Sequence, residues 1–169
     1  VTLGKTGLKA AVVSFGGIPI QRADGANTKA VVDKLEEYGI NYIDTARGYT
    51  VSEEYLGAAL EGRRDKFILA TKSMSRDAAS MAADVETSLR NLRTGYIDLY
   101  QLHNLPEKDI EKVFGPGGAY EDGAFGPEQI LCSESNLYPI LVAHKRDFYD
   151  KNRDYRRGSL FTDLSLIHI

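Results

Sequence analysis

The fold of this chain turns on the stretch Asn41-Tyr42-Ile43-Asp44-Thr45-Ala46-Arg47-Gly48-Tyr49. The alternating run from Ile40 predicts a β-strand that ends on a carboxylate. A loop with a single glycine follows, and a tyrosine stands five residues beyond the aspartate. A strand that delivers Asp44 at its C-terminal end, then a turn that presents a phenol, is one way to build a proton donor. Two later apolar runs end in a similar way, Phe67 to Lys72 on an ammonium and Tyr96 to His103 on an imidazole.

Helical signals separate these strands. Val31, Val32, Leu35 and Tyr38 recur at helical spacing, with Asn27 as the predicted N-cap and Gly39 as the stop. Ser52 is the predicted cap of a second helix, with Glu53 and Glu54 in its first turn and Leu56, Ala59 and Leu60 as its apolar stripe. Met81, Val85, Leu89 and Leu92 mark one face of a third helix, ending near Gly95. Residues 1 to 10 predict a hairpin, Ala11 to Phe15 a short strand stopped by Gly16-Gly17, and Glu107 to Phe114 the start of a fourth helix. Strand and helix alternate, which argues for an α/β protein with a parallel sheet.

Side chains two apart on a strand share a face. Asp44 then lies with Tyr42 and Ile40, Lys72 with Ala70 and Ile68, and His103 with Gln101 and Leu99. If all three faces point into one barrel, the polar ends cluster at its C-terminal mouth, where active sites of such barrels lie. No G-x-G-x-x-G loop follows the first strand, which disfavours a doubly wound nucleotide-binding sheet. The expected fold is therefore α/β of the (β/α)8 TIM-barrel type. A complete barrel needs about 250 residues, so the chain is expected to hold about the first four βα units behind an N-terminal β-hairpin. A half-barrel is also expected to leave strand edges unpaired.

Past Phe114 the pattern fades. Gly115-Pro116-Gly117-Gly118 and Asp122 to Pro127 are predicted loops, and Ile130-Leu131 and Tyr138 to Ala143 predicted short strands. The charged stretch His144 to Arg157 is a solvated or disordered surface rather than a nucleic-acid patch, since its basic excess is small. Three segments result: 1–120 as the barrel half, 121–163 of uncertain structure, and 164–169. The last, Leu164-Ser165-Leu166-Ile167-His168-Ile169, resembles the translation of a transposase-end adapter and is expected to be an artefactual tail.

A net charge of -3 gives no electrostatic case for nucleic acid or an anionic membrane. One cysteine, Cys132, excludes an internal disulfide and points to a reducing compartment. No apolar run approaches the roughly 20 residues that span a bilayer, so the expected location is the cytoplasm. His144, His168 and Cys132 lack ligand spacing, and no metal is expected.

Reducing a carbonyl with a nicotinamide cofactor requires a polarised carbonyl and a proton for the developing alkoxide. A tyrosine donates reluctantly at its ordinary pKa of about 10. A nearby ammonium such as Lys72 lowers that value, Asp44 pairs with the ammonium, and His103 hydrogen-bonds the substrate oxygen. Each residue also has a plain structural reading. Asp44 can cap a turn, Tyr49 can be a half-buried loop aromatic, Lys72 can snorkel to solvent, and His103 can be a satisfied structural histidine. Only their joint placement at one end of successive strands favours chemistry.

Asp44-Thr45-Ala46-Arg47-Gly48-Tyr49, with Ser52-Glu53-Glu54 and Leu56-Gly57 behind it, resembles the signature of the aldo-keto reductase family. So do Leu3-Gly4-Lys5-Thr6-Gly7-Leu8, Phe15-Gly16-Gly17, Ala70-Thr71-Lys72 and Asp98-Leu99-Tyr100-Gln101-Leu102-His103, in family order over about residues 1 to 120. The resemblance implies a (β/α)8 barrel that reduces aldehydes or ketones with NADPH, or NADH. It implies Tyr49 as proton donor, Lys72 and Asp44 as its tuning pair, and His103 as substrate orienter. It places Gly16, Gly17, Ile18 and Asp44 beside the nicotinamide, and makes a small carbonyl compound the partner. From Glu121 onward the sequence shows no such match, and the later strands and the residues that grip the 2′-phosphate are unassigned. This length of chain is expected to be inactive or weakly active. The alternatives are a non-catalytic subunit on the same scaffold, sensing cofactor or docking a membrane channel, and a non-functional fragment.

Overall fold

A computed structural model of the chain describes residues 1–3, 6–119, 130–132 and 139–141, the last two segments as backbone only. The strands are β1 (Phe15–Gly16), β2 (Tyr42–Asp44), β3 (Ile68–Ser73), β4 (Leu99–Leu102), β5 (Ile130–Cys132) and β6 (Pro139–Leu141). Between the first four lie α1 (Gly25–Glu37), α2 (Ser52–Ala59) and α3 (Ala78–Asn91), and α4 (Ile110–Phe114) follows β4. Strands β1 to β4 pair in chain order and all in parallel. This is the βα succession expected for the first part of a TIM-type barrel. The predicted loop Asp122 to Pro127, the charged stretch 144–157 and the tail 164–169 lie outside the described residues.

The sheet has two differently filled faces. Ile43, Leu69, Tyr100 and Leu102 point outward and join Val32, Leu35, Leu56, Leu60, Met81 and Leu92 from the helices in the main core. Tyr42, Ile68, Ala70 and Leu99 point the other way, and Leu3, Leu8 and Ala10 from the N-terminal hairpin pack on them. The hairpin, tied by Leu3 N–H to Leu8 O at 2.9 Å, covers the inner face that a barrel would enclose. Burying these side chains, at about 25 cal/mol per Å² of apolar surface, is what holds hairpin, sheet and helices together.

Several boundaries differ from the expectation. The strand predicted over residues 11–15 reduces to Phe15–Gly16, and Val12 and Val13 are exposed. The reason is that the Asn41 side chain substitutes for a strand partner there. Its Oδ1 accepts from Ala11 N at 2.8 Å, and its Nδ2 donates to Lys9 O at 2.9 Å. Helix α1 is capped by Asp24, whose carboxylate accepts from Asn27 N, rather than by Asn27 itself. Gly39 does close that helix, in the left-handed region at φ +68°. The edge of β4, expected to be unpaired, is taken by β6 running antiparallel, with β5 beyond it. That hairpin fulfils the expectation of short strands near 130 and 140, and it supplies backbone groups in place of the parallel strand of a complete barrel.

Close helix packing explains one glycine. A Cβ on Gly57 would stand 2.2 Å from Asn91 O, so α2 meets the end of α3 backbone to backbone.

Candidate active site

The parallel register brings the predicted residues to one end of the sheet. Asp44 closes β2, Lys72 lies one residue from the end of β3, and His103 follows β4. His103 continues the ladder, its N–H donating to Ser73 O at 2.8 Å. The Lys72 ammonium donates to Asp44 Oδ1 and to Thr45 O, the latter at 2.7 Å. Gln101, on the same face as His103, donates from Nε2 to Asp44 Oδ2 at 3.2 Å. Lys72 Nζ lies over the Tyr49 ring, 5.1 Å from its centroid. Tyr49 in turn meets His103 edge to face, with ring centroids 5.6 Å apart at 88°. All four predicted groups therefore share one site.

Electrostatics correct one expectation. The Tyr49 phenol is held above its ordinary value, first by burial and then by the Asp44 carboxylate. The net shift is upward rather than the lowering expected from Lys72, whose ammonium is engaged by Asp44 and Thr45 O and faces the ring. Tyr49 is thus fully protonated at neutral pH. His103 is pushed below its ordinary value, chiefly by burial and then by Lys72, against the opposing pull of Asp44, with Arg76 adding the smallest push. Its imidazole is neutral at neutral pH, and its buried Nδ1 makes no hydrogen bond among the described residues.

The loop that carries Tyr49 is fixed from several directions. Thr45 N–H donates to Ala70 O at 2.8 Å, and Arg47 N–H to Lys72 O at 2.9 Å. Ser52, predicted as a helix cap, acts elsewhere: Val51 is the cap residue, and Ser52 Oγ donates to Gly17 O at 2.9 Å and meets Thr45 Oγ1 at 2.9 Å. Gly17 N–H donates to Asp44 O at 2.6 Å, and a Cβ on Gly17 would sit 2.9 Å from that same oxygen. Only glycine fits there, so the Gly16-Gly17 turn and the Asp44 strand end form one unit. Ile18, next in sequence, is half exposed beside it.

Behind the sheet lies a group that sequence reasoning placed only in a helix turn. Glu53 is fully buried, and its carboxylate accepts from Thr71 Oγ1, Ser88 Oγ and Arg47 Nη1, each at 2.8 Å, and from Asn91 Nδ2 at 3.2 Å. Burial disfavours the Arg47 cation, and the hydrogen bond and charge of Glu53, with Asp84 beyond, outweigh it. Glu53 thereby anchors the loop that presents Tyr49. Gln101 was legible as a face-mate of His103, whereas no sequence signal joins Arg47 to Glu53 or Ser52 to Gly17.

Comparison with known proteins agrees with this geometry. The model of the Aldo/keto reductase family matches residues 13–122, more than half of the chain. Aldo-keto reductase YhdN of Bacillus subtilis is 36% identical over 121 residues, covering 60% of this chain and 37% of that protein. The holo structure of aldo-keto reductase AKR11C1 from Bacillus halodurans superposes with a TM-score of 0.64 at 34% identity, covering 73% of this chain and 45% of that one. An aldo-keto reductase from Klebsiella pneumoniae in complex with NADPH gives 0.56 at 27% identity, covering 64% and 42%. The chain belongs to the aldo/keto reductase family, and its described residues form the first βα units of that family's TIM-barrel fold. It spans less than half the length of these relatives. A second model, described as Microbial-type PARG, catalytic domain, matches residues 113–168, of which those from Glu121 onward carry no resemblance legible in the sequence alone. No helix among the described residues is long and apolar enough to cross a membrane.

Proposed function

We propose that this site belongs to an NAD(P)H-dependent oxidoreductase that reduces aldehydes or ketones to alcohols. The observation that carries the reading is the convergence of Asp44, Tyr49, Lys72 and His103 at the C-terminal ends of three neighbouring parallel strands. A bound nicotinamide supplies the hydride. The residues here fit its nicotinamide end, because Gly17, which tolerates no Cβ, ties the turn that carries the half-exposed Ile18 to the backbone carbonyl of Asp44.

In this reading Tyr49, protonated at neutral pH, donates to the substrate oxygen as negative charge builds there. The Lys72 ammonium, held by Asp44 and Thr45 O, stabilises the phenolate that donation leaves. Neutral His103 donates a hydrogen bond to the same oxygen and orients it. NADPH is the favoured cofactor, the substrate a small carbonyl compound, and the location the cytoplasm. Residues 1–120 form the barrel half that carries the chemistry. The 169-residue chain alone, with about half of the barrel's units, turns over slowly or not at all.

The test is to graft residues 13–119 in place of the matching segment of the NADPH-bound Klebsiella relative. Absorbance at 340 nm is then followed with NADPH and 4-nitrobenzaldehyde among other reactive aldehydes. The expected result is cofactor oxidation that Tyr49→Phe abolishes. A folded chimera that binds NADPH and shows no Tyr49-dependent oxidation would sink the reading.

A further inference from the structure

We propose that Arg76 is the positioning residue for His103, a role that rests on His103 orienting the substrate oxygen. Arg76 lies in the loop between β3 and α3 and is 9% exposed. Its Nη2 donates to two successive carbonyls, His103 O at 2.8 Å and Asn104 O at 2.9 Å. Nε reaches Asp109 Oδ2 at 3.4 Å, and Nη1 reaches Ser75 O at 3.3 Å. The Arg76 carbonyl itself accepts from Ala119 N at 3.0 Å, which secures the loop from the far side of α4.

This grip matters because the backbone just past β4 is strained. Asn104 has φ +49°, a left-handed conformation for a residue with a side chain. Such a conformation costs on the order of 1–3 kcal/mol and persists only where neighbours over-determine it. The chain at His103 is consequently clamped on both sides: its N–H by Ser73 O, its C=O by Arg76. With the backbone fixed, the imidazole is held edge-on to Tyr49 and against Gly48, where an added Cβ would lie 3.8 Å from Nδ1. A planar guanidinium suits the task, since it spans several acceptors in one rigid geometry that an ammonium does not match. Arg76 touches no reacting atom; it acts through His103.

Tyr49 from the β2–α2 loop, Lys72 from β3, Asp44 from β2 and Arg76 itself are the titratable and charged groups that face His103. The experiment follows the pH titration of His103 by NMR in the whole 169-residue chain labelled at histidine Cε1, with His103→Gln assigning its signal among the three histidines. Arg76→Gln removes both the cation and the clamp, and the pKa of His103 rises toward the ordinary value. Arg76→Lys keeps the cation but not the span, so the pKa rises less and the His103 amide, with the carbonyl side of its peptide released, exchanges faster. Asp98→Ala, which destabilises the other end of the sheet, leaves the titration at its wild-type value. A rise confined to Arg76→Gln, with wild-type exchange in Arg76→Lys, reports charge alone and overturns the positioning role, as do wild-type values in both variants. If neither variant folds, exchange of the Arg76 guanidinium protons in the wild type decides: protected Nη2 protons support the clamp, and protons that exchange as fast as those of an exposed arginine overturn it. None of these measurements requires cofactor or turnover, so a silent chimera in the reductase assay and a failed clamp are separate outcomes.

Discussion

The two ends of the central sheet carry similar ion pairs and use them differently. At the N-terminal ends of β3 and β4, Arg64 Nη2 donates to Asp98 Oδ2 at 2.6 Å and to Tyr96 O at 3.1 Å, and Nη1 donates to Phe67 O at 2.6 Å. The guanidinium lies 4.1 Å from the centre of the Tyr96 ring, and the same Asp98 oxygen accepts from Leu69 N at 2.9 Å. At the C-terminal ends, Lys72 pairs with Asp44 beside a phenol that makes no hydrogen bond among the described residues and an imidazole whose Nδ1 has none. One pair is committed to backbone groups that close the sheet. The other stands beside groups left with hydrogen-bonding capacity. In a barrel of this kind, stability is concentrated at the bottom and chemistry at the top.

The contrast breaks most sharply at Asp98. Asp98→Ala strands a mostly buried Arg64 and frees Leu69 N–H, and is expected to cost about 3 kcal/mol or more. Urea denaturation followed by circular dichroism measures it, and a loss under about 1 kcal/mol would contradict the assignment of that pair to stability. Gly57→Ala comes next, because its Cβ meets the Asn91 carbonyl, and overpacking of this sort costs about 1–3 kcal/mol; a mutant with an unchanged denaturation midpoint would disprove the close approach of α2 and α3. At the mouth, Lys72→Met is expected to cost less than Asp98→Ala, since Asp44 is more exposed than Asp98 and keeps the Gln101 bond. In the grafted barrel the same change lowers reduction by about 10²-fold or more. Equal losses of stability at Lys72 and Asp98 would erase the distinction.

The smallest effect is in pH. Because the His103 pKa is lower folded than unfolded, the unfolded chain binds more protons in the window between the two values, and stability rises with pH there. The contribution of the neutral imidazole is full above the unfolded value of about 6.5 and is lost as pH falls through it toward the folded value. Melting temperatures of wild type and His103→Gln should therefore converge, with the wild type losing ground, as pH falls through the unfolded value of about 6.5. Parallel curves would show that the imidazole does not resist protonation in the fold.

Much of this was legible in the residues, for a local reason. Strand alternation fixes which side chains share a face, so Asp44, Lys72 and His103 could be set at equivalent strand ends from spacing alone. Helix stripes at Leu56, Leu60, Met81 and Leu92 were legible for the same reason, and all four are buried. Caps were less so: Asp24 and Asn27 both suit an N-cap, and the choice rests on the backbone angles of the turn.

The sequence alone determined the succession of units and the strand ends that carry Asp44, Lys72 and His103, because each follows from a periodicity of two or nearly four residues; Tyr49, in the loop after β2, was marked by the family resemblance and by no period. Tertiary structure decided where those groups direct their charge. It set the Lys72 ammonium over the Tyr49 ring, bound Ser52 to Gly17, closed Glu53 around Arg47, and brought Arg76 to the carbonyls of His103 and Asn104. These partners lie 6 to 35 positions apart in the chain. No local pattern encodes such distances; they are set when helices and strands pack, and buried polar groups bond to whichever partners come within reach.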